Sequence, residues 1–147
     1  MATLVEHRRA KFDYEILEKY EAGIELIGTE VKSVRAGQGK LEGARAIVRG
    51  GEAYIVGMDI PPYQKKNVGP EYESDRTRKI LLSKKEIADI ARALDEKGLT
   101  AVPLSLYTKG RVIKVALAIA KGKKNYDKRE TIKKRDTDRE LRRGLKS

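Results

Sequence analysis

Cysteine is absent from the 147-residue chain, which removes disulfides, thiolate nucleophiles and cysteine-held zinc together. Tryptophan is absent as well, and histidine and phenylalanine occur once each. The single histidine, His7, stands in a charged leader, Glu6-His7-Arg8-Arg9, where an imidazole is expected to be solvated rather than to serve as a general base. No Ser-His-Asp grouping can be assembled around it, and no HExxH, Walker loop or dinucleotide-binding glycine fingerprint occurs. Acidic pairs such as Glu15 with Glu18 and Asp136 with Asp138 lie among Lys and Arg that neutralise them, which reads as a solvated face rather than a metal site. No apolar run approaches the ~20 residues of a membrane span, and the leader lacks the apolar stretch of a secretion signal. The expectation is a cytoplasmic, monomeric, non-enzymatic protein that uses no cofactor, no metal and no membrane.

What the chain has in excess is positive charge. A formal net charge of +11 and 37% charged residues point to a polyanionic partner, because each phosphate neutralised by Lys or Arg releases condensed counterions. The excess is uneven. Residues 121–147 hold twelve Lys or Arg against five Asp or Glu, a net +7, whereas residues 1–120 carry only +4. This asymmetry divides the chain into a folded domain over 1–120 and a basic tail over 121–147.

Residues 14–120 read mostly as short strands punctuated by glycine. Ala44 to Val48 and Ala53 to Met58 flank Arg49-Gly50-Gly51-Glu52, and Leu99 to Tyr107 and Val112 to Ala120 flank Thr108-Lys109-Gly110-Arg111, so each pair predicts a hairpin. Val112, Ile113, Val115, Leu117 and Ile119 mark a buried strand. Ser83-Lys84-Lys85-Glu86 is a capping box, followed at helical spacing by Ile87, Ile90, Ala91 and Leu94, with Gly98 placed to end the helix. Tyr14 to Ile27 fits helix and strand alike. Pro61-Pro62-Tyr63 and the polar run Gln64 to Ser74 read as a mobile, exposed loop. Many short antiparallel strands with few helices in a basic chain predict a mainly β fold, a small OB-type antiparallel barrel that offers one face and its loops to nucleic acid.

Several segments, in chain order, resemble the small protein B (SsrA-binding protein) family: Asp13 to Glu18, Tyr20 to Ile24, Gly28-Thr29-Glu30-Val31-Lys32-Ser33, Arg76 to Leu82, Val102-Pro103-Leu104, and Gly122-Lys123-Lys124-Asn125-Tyr126-Asp127-Lys128-Arg129. They span about residues 8 to 140. The resemblance implies an OB-type barrel with a few short helices and a basic carboxyl-terminal tail, disordered when free and helical on the ribosome. It further implies that the barrel binds the tRNA-like domain of transfer-messenger RNA and delivers it to stalled ribosomes for trans-translation, the tail occupying the empty mRNA channel beside small-subunit rRNA. A generic OB-fold protein, ribosome-associated or binding single-stranded RNA, is the alternative and would share the barrel and the tail. The chain departs from the family pattern at His7, at Glu71-Tyr72-Glu73-Ser74 and at Ser83, which bears on any contact assigned to His7, Tyr72 or Ser83.

On that resemblance, Gly28, Thr29, Glu30, Lys32 and Ser33 are expected to contact transfer-messenger RNA. The Glu30 carboxylate would accept from base edges and the Lys32 ammonium would meet phosphate; a surface ion pair is the plain alternative. Arg76, Arg78 and Lys79 alternate with apolar positions, which predicts one basic strand face on the RNA while Ile80 to Leu82 enter the core, or else a solvated basic edge. Lys123 and Lys124 extend the RNA-binding set. Tyr126 amid Lys128 and Arg129 has the make-up of a ring that stacks on an unpaired base while cations hold the backbone. The resemblance places Tyr126, Asp127, Lys128 and Arg129 at the decoding centre, with Lys133, Lys134 and Arg135 in the tail beyond. Tyr126 packing on the barrel, and a generic basic tail, are the corresponding structural readings.

Overall fold

The computed structural model describes residues 2–64 and 68–123. Seven strands form one antiparallel sheet: β1 (Ala2–Glu6), β2 (Tyr14–Ile24), β3 (Arg45–Arg49), β4 (Glu52–Val56), β5 (Arg78–Leu81), β6 (Leu99–Lys109) and β7 (Val112–Gly122). Their order is β1-β6-β3-β4-β5-β2-β7, and β6 also pairs with β7, so six strands close a ring and β1 lies outside it on β6. Closure is possible because β6 divides one of its edges. Ala101 bonds Ala46 of β3, while Ser105 to Thr108 pair with β1. This is the mainly β, OB-type barrel expected from the sequence, its ring drawn from six strands.

Both predicted hairpins form. Gly50 and Gly51 have φ of 58° and 77°, the two positive values that a two-residue turn needs to match strand twist. In β7, Ile113, Val115, Leu117 and Ile119 alternate into the core, whereas Val112 at the hairpin mouth is 54% exposed, contrary to its place in the predicted buried run. The ambiguous segment Tyr14 to Ile27 resolves as strand through Ile24. A bulge between Ile16 and Glu18 leaves Leu17 outside, and that slip of one residue blurs the period-two pattern.

The described residues also form three helices: α1 (Ala10–Asp13), α2 (Gly28–Arg35) and α3 (Lys84–Leu94). The capping box opens α3 as predicted: Glu86 N–H donates to Ser83 Oγ at 3.2 Å and Ser83 N–H donates to Glu86 Oε1 at 3.1 Å. Ile90 enters the barrel core, with Ile87 and Leu94 against it. The helix stops at Leu94 with Asp95 as its cap, so Gly98 turns the chain into β6 rather than capping α3 directly. α2 contributes Val34 to the core, with Val31 packed beside it.

The run expected to be a mobile, exposed loop is tied down over its described carboxyl-terminal part. Ile60 N–H donates to Ser74 O at 2.9 Å, and the Tyr72 hydroxyl donates to Ile60 O at 2.7 Å. Among the described residues no helix is long and apolar enough to cross a membrane.

Candidate nucleic-acid interface

Among the described residues, the most heavily bonded side chains lie between α2 and β5. Glu30 is fully buried and both its oxygens are filled. Oε1 accepts from Arg76 Nη2 at 2.5 Å and from Ile27 N–H at 2.9 Å. Oε2 accepts from Arg76 Nε at 3.0 Å, Arg78 Nε at 2.8 Å and Arg78 Nη2 at 2.6 Å, with the Tyr72 hydroxyl at 3.3 Å. Arg78, also fully buried, spends its remaining donors on main-chain carbonyls: Nη1 on Met58 O at 2.7 Å and Arg76 O at 3.2 Å, Nη2 on Ser74 O at 2.8 Å. A guanidinium has five N–H donors, and here each has an acceptor. Burial pushes the Glu30 carboxyl up, but the donations from Arg76, the Ile27 N–H and Arg78 outweigh it and hold the group below its ordinary range. Burial and the neighbouring Glu30 charge raise the Tyr72 hydroxyl.

This geometry corrects part of the expected RNA-binding set. Glu30 has no free lone pair or surface to offer a base edge, because two arginines and a backbone N–H occupy it. Arg78 points inward, so Arg76, Arg78 and Lys79 do not form one outer strand face. Ser33 is buried too, its hydroxyl donating to Pro61 O at 2.6 Å. These three side chains tie α2 to Met58, Pro61, Ser74 and Arg76 from within. Ile80 enters the core as expected, while Leu81 faces out at 51% exposure across from Gly23.

Gly28, Thr29, Lys32 and Arg76 adjoin this cluster, whereas Lys79 and Lys123 lie on other parts of the barrel. Gly28 and Lys32 are exposed, and four residues apart they share one face of α2. Open space surrounds Gly28: a Cβ there would meet no atom within 4 Å. Thr29 Oγ1 accepts from Tyr63 N–H at 2.9 Å, which anchors the exposed Tyr63 beside the start of α2 and the exposed Ile27. An exposed ring and an aliphatic side chain next to a bare glycine and a lysine make a surface suited to unstacked bases and their phosphates. Sequence reading passed over Tyr63; its signal was an aromatic after Pro61-Pro62 in a loop otherwise polar. Arg76 keeps 32% of its side chain exposed while clamping Glu30. Lys79 pairs with Glu52 at 3.0 Å on the barrel wall. Lys123 continues the barrel, its N–H donating to Asp13 O and its Nζ to Lys11 O, each at 2.9 Å. Lys124, Tyr126, Asp127, Lys128, Arg129, Lys133, Lys134 and Arg135 lie outside the described residues.

His7 is a second correction. It is 6% exposed rather than solvated. Its N–H donates to Leu104 O at 2.8 Å, and its ring meets Tyr14 edge-on at 6.3 Å between centroids. The charge around it had suggested water; the pairing of the leader with β6 puts it inside instead.

Comparison with known proteins places these features. The family model described as SmpB protein matches residues 4–147. An SsrA-binding protein of Coprothermobacter proteolyticus is 52% identical over 144 residues, covering 97% of this chain and 96% of its own length. One from Synechocystis is 48% identical over 96% of this chain and 92% of its own. In solved structures, a chain described under "tmRNA-SmpB: a journey to the center of the bacterial ribosome" matches with a TM-score of 0.71 and 46% identity, over 84% of this chain and 87% of that one.

Proposed function

This chain belongs to the SmpB family, and on that premise we infer that it binds transfer-messenger RNA and brings it to the ribosome for trans-translation. The observation that carries the inference is a match running through residue 147, so that the basic tail belongs to the likeness as well as the barrel. The division of labour follows the charge. The barrel, residues 1–120, binds the tRNA-like domain through the exposed side of α2, Gly28, Thr29 and Lys32, with Tyr63, Arg76 and Lys79 flanking it. Glu30, Ser33 and Arg78 serve as positioning residues that fix α2 against Met58, Pro61 and residues 72–78. Lys123 and Lys124 lead into the tail, residues 121–147, in which Tyr126, Asp127, Lys128 and Arg129 meet the decoding centre and Lys133, Lys134 and Arg135 follow the mRNA channel. The role is one of binding and delivery in the cytoplasm, without a chemical step of its own.

The test is a gel-shift competition at fixed, stated salt between full-length transfer-messenger RNA and an unstructured RNA of equal length, since cationic affinity has no meaning without the salt. Preference for transfer-messenger RNA that persists as salt rises is the expected result. Equal binding that fades alike for both RNAs would reduce the protein to a generic basic OB-type module.

A further inference from the structure

Among the described residues Tyr63 is the one aromatic side chain that is largely exposed, at 46%. The other described rings are engaged within the protein. Phe12 lies under the Arg9 guanidinium, Tyr14 meets His7 edge-on, and Tyr20 packs on the core. The hydroxyls of Tyr54, Tyr72 and Tyr107 donate to Glu52, Ile60 O and Glu21. The Tyr63 side chain has no hydrogen bond or ring contact among the described residues.

A lone exposed ring on a loose loop would need no explanation. This one ends a strap that is fixed along its length. Ile60, fully buried, donates its N–H to Ser74 O at 2.9 Å and accepts from the Tyr72 hydroxyl at 2.7 Å. Pro61 and Pro62 have locked φ and no N–H to satisfy, and Pro61 O accepts from the buried Ser33 hydroxyl at 2.6 Å. Tyr63 N–H then donates to Thr29 Oγ1 at 2.9 Å. Thr29 and Ser33 stand one turn apart on α2, so the helix grips the strap at two points. From Ile60 to Tyr63 no N–H is left unbonded. A ligand that meets this ring does not have to immobilise the chain beneath it. One ring with the exposed Ile27 nearby is too little apolar surface for a protein patch. With the exposed Lys32 three residues beyond Thr29, it suits a planar group that carries a phosphate.

We propose that one unpaired base of the bound RNA stacks on Tyr63, and that Thr29 is a positioning residue that holds the ring for it. The proposal rests on the RNA-binding reading of the α2 surface and adds to it the group recognised there, an unstacked base. Thr29 then serves the RNA through Tyr63.

The chain contains no tryptophan, so Tyr63→Trp in the full-length protein places a single fluorescent reporter at the stack. Titration with full-length transfer-messenger RNA should quench its emission, while a gel shift follows binding independently. Tyr63→Ala should weaken binding on the order of tenfold, the size of one stacked base, and Tyr63→Phe should recover most of that loss. Thr29→Val keeps the shape but cannot accept the Tyr63 N–H. It should weaken binding in the wild-type background, add nothing to Tyr63→Ala, and be corrected by Thr29→Ser. RNA that binds while the emission of the Tyr63→Trp protein stays unchanged would overturn the proposal. So would a Thr29→Val loss of equal size in both backgrounds, which would make Thr29 a contact in its own right. Tyr63→Ala that binds the RNA as wild type does, yet fails in a ribosome tagging assay, would also overturn it and assign the ring to a protein partner. No binding of the RNA by the wild-type protein in the gel shift would instead sink the RNA-binding reading, and this proposal with it.

Discussion

Arg78 and Arg76 hold the same carboxylate, yet their removal should differ in cost. Arg78 is fully enclosed and has every donor engaged, while Arg76 reaches Glu30 from a position one-third open to solvent. Breaking a buried pair by deleting one partner strands the other, at about 3–5 kcal/mol. Glu30→Gln keeps the shape, removes the charge that both arginines answer to, and is expected to lower stability by roughly that amount in urea denaturation. Arg78→Ala should cost about 3–5 kcal/mol, and Arg76→Ala less, about 1.5–3 kcal/mol, since Arg78 still answers the carboxylate. Equal losses for the two arginine variants would show that the cluster does not depend on burial. The pH dependence has a definite sign. Glu30 is held below its ordinary range when folded, so its contribution is fully present above the unfolded carboxyl value of about 4.3. It is lost as pH falls from there through the depressed folded value. Wild type should therefore lose stability on acidification more steeply than Glu30→Gln, measured as denaturation midpoints along a pH series.

Why this cluster was misread from sequence is a matter of register. Arg76, Arg78 and Lys79 look like a surface stripe because arginine is seldom fully buried, and nothing local announces that a carboxylate 48 positions earlier in the chain is waiting for Arg78. Arg78 takes an inward strand position as Ile80 does, and only the Glu30 partnership makes that tolerable.

Among the elements, those legible in advance were the ones whose signals are local. The α3 cap lies within four residues, and the Gly50-Gly51 turn within two. Ser83→Ala should lower stability by about 1 kcal/mol, visible in thermal melts by circular dichroism, and leave RNA affinity unchanged because Ser83 belongs to the α3 cap and to no surface placed on RNA. Weaker RNA binding at unchanged stability would assign the α3 cap to the interface. Gly57 makes a sharper case. Its φ is +78°, and a Cβ there would stand 3.0 Å from the carbonyl oxygen of Gly43. Gly57→Ala should cost more than the ~1–2 kcal/mol of a left-handed alanine alone, because the backbone of residue 43 cannot yield as a flexible side chain can. A denaturant midpoint matching wild type would refute that account. Elements whose form depends on distant partners were harder to read. β2 escaped assignment because its bulge at Leu17 breaks alternation, and the Tyr72 segment looked like a free loop because its anchors, Ile60 and Glu30, are distant in sequence.

At the scale of the whole molecule, the charge boundary falls inside an element of the barrel. Charge divides the chain near residue 121, but β7 runs to Gly122 and Lys123 bonds the main chain of Asp13 and Lys11. A truncation meant to remove the tail alone should therefore end at Lys123. Removing residues 124–147 takes away ten Lys or Arg and five Asp or Glu, leaving a net charge of +6, so non-specific RNA affinity should fall at low salt and the salt dependence should become shallower. The preference for transfer-messenger RNA over unstructured RNA should remain, because the α2 surface and the cluster beneath it are intact, while trans-translation in a reconstituted tagging assay should be lost. Tyr126→Ala tests the same division with one side chain: RNA affinity within about threefold of wild type and rescue lost. If the truncated protein loses its RNA preference together with rescue, recognition and delivery cannot be apportioned to barrel and tail, and the tail must be counted as part of the RNA-binding surface.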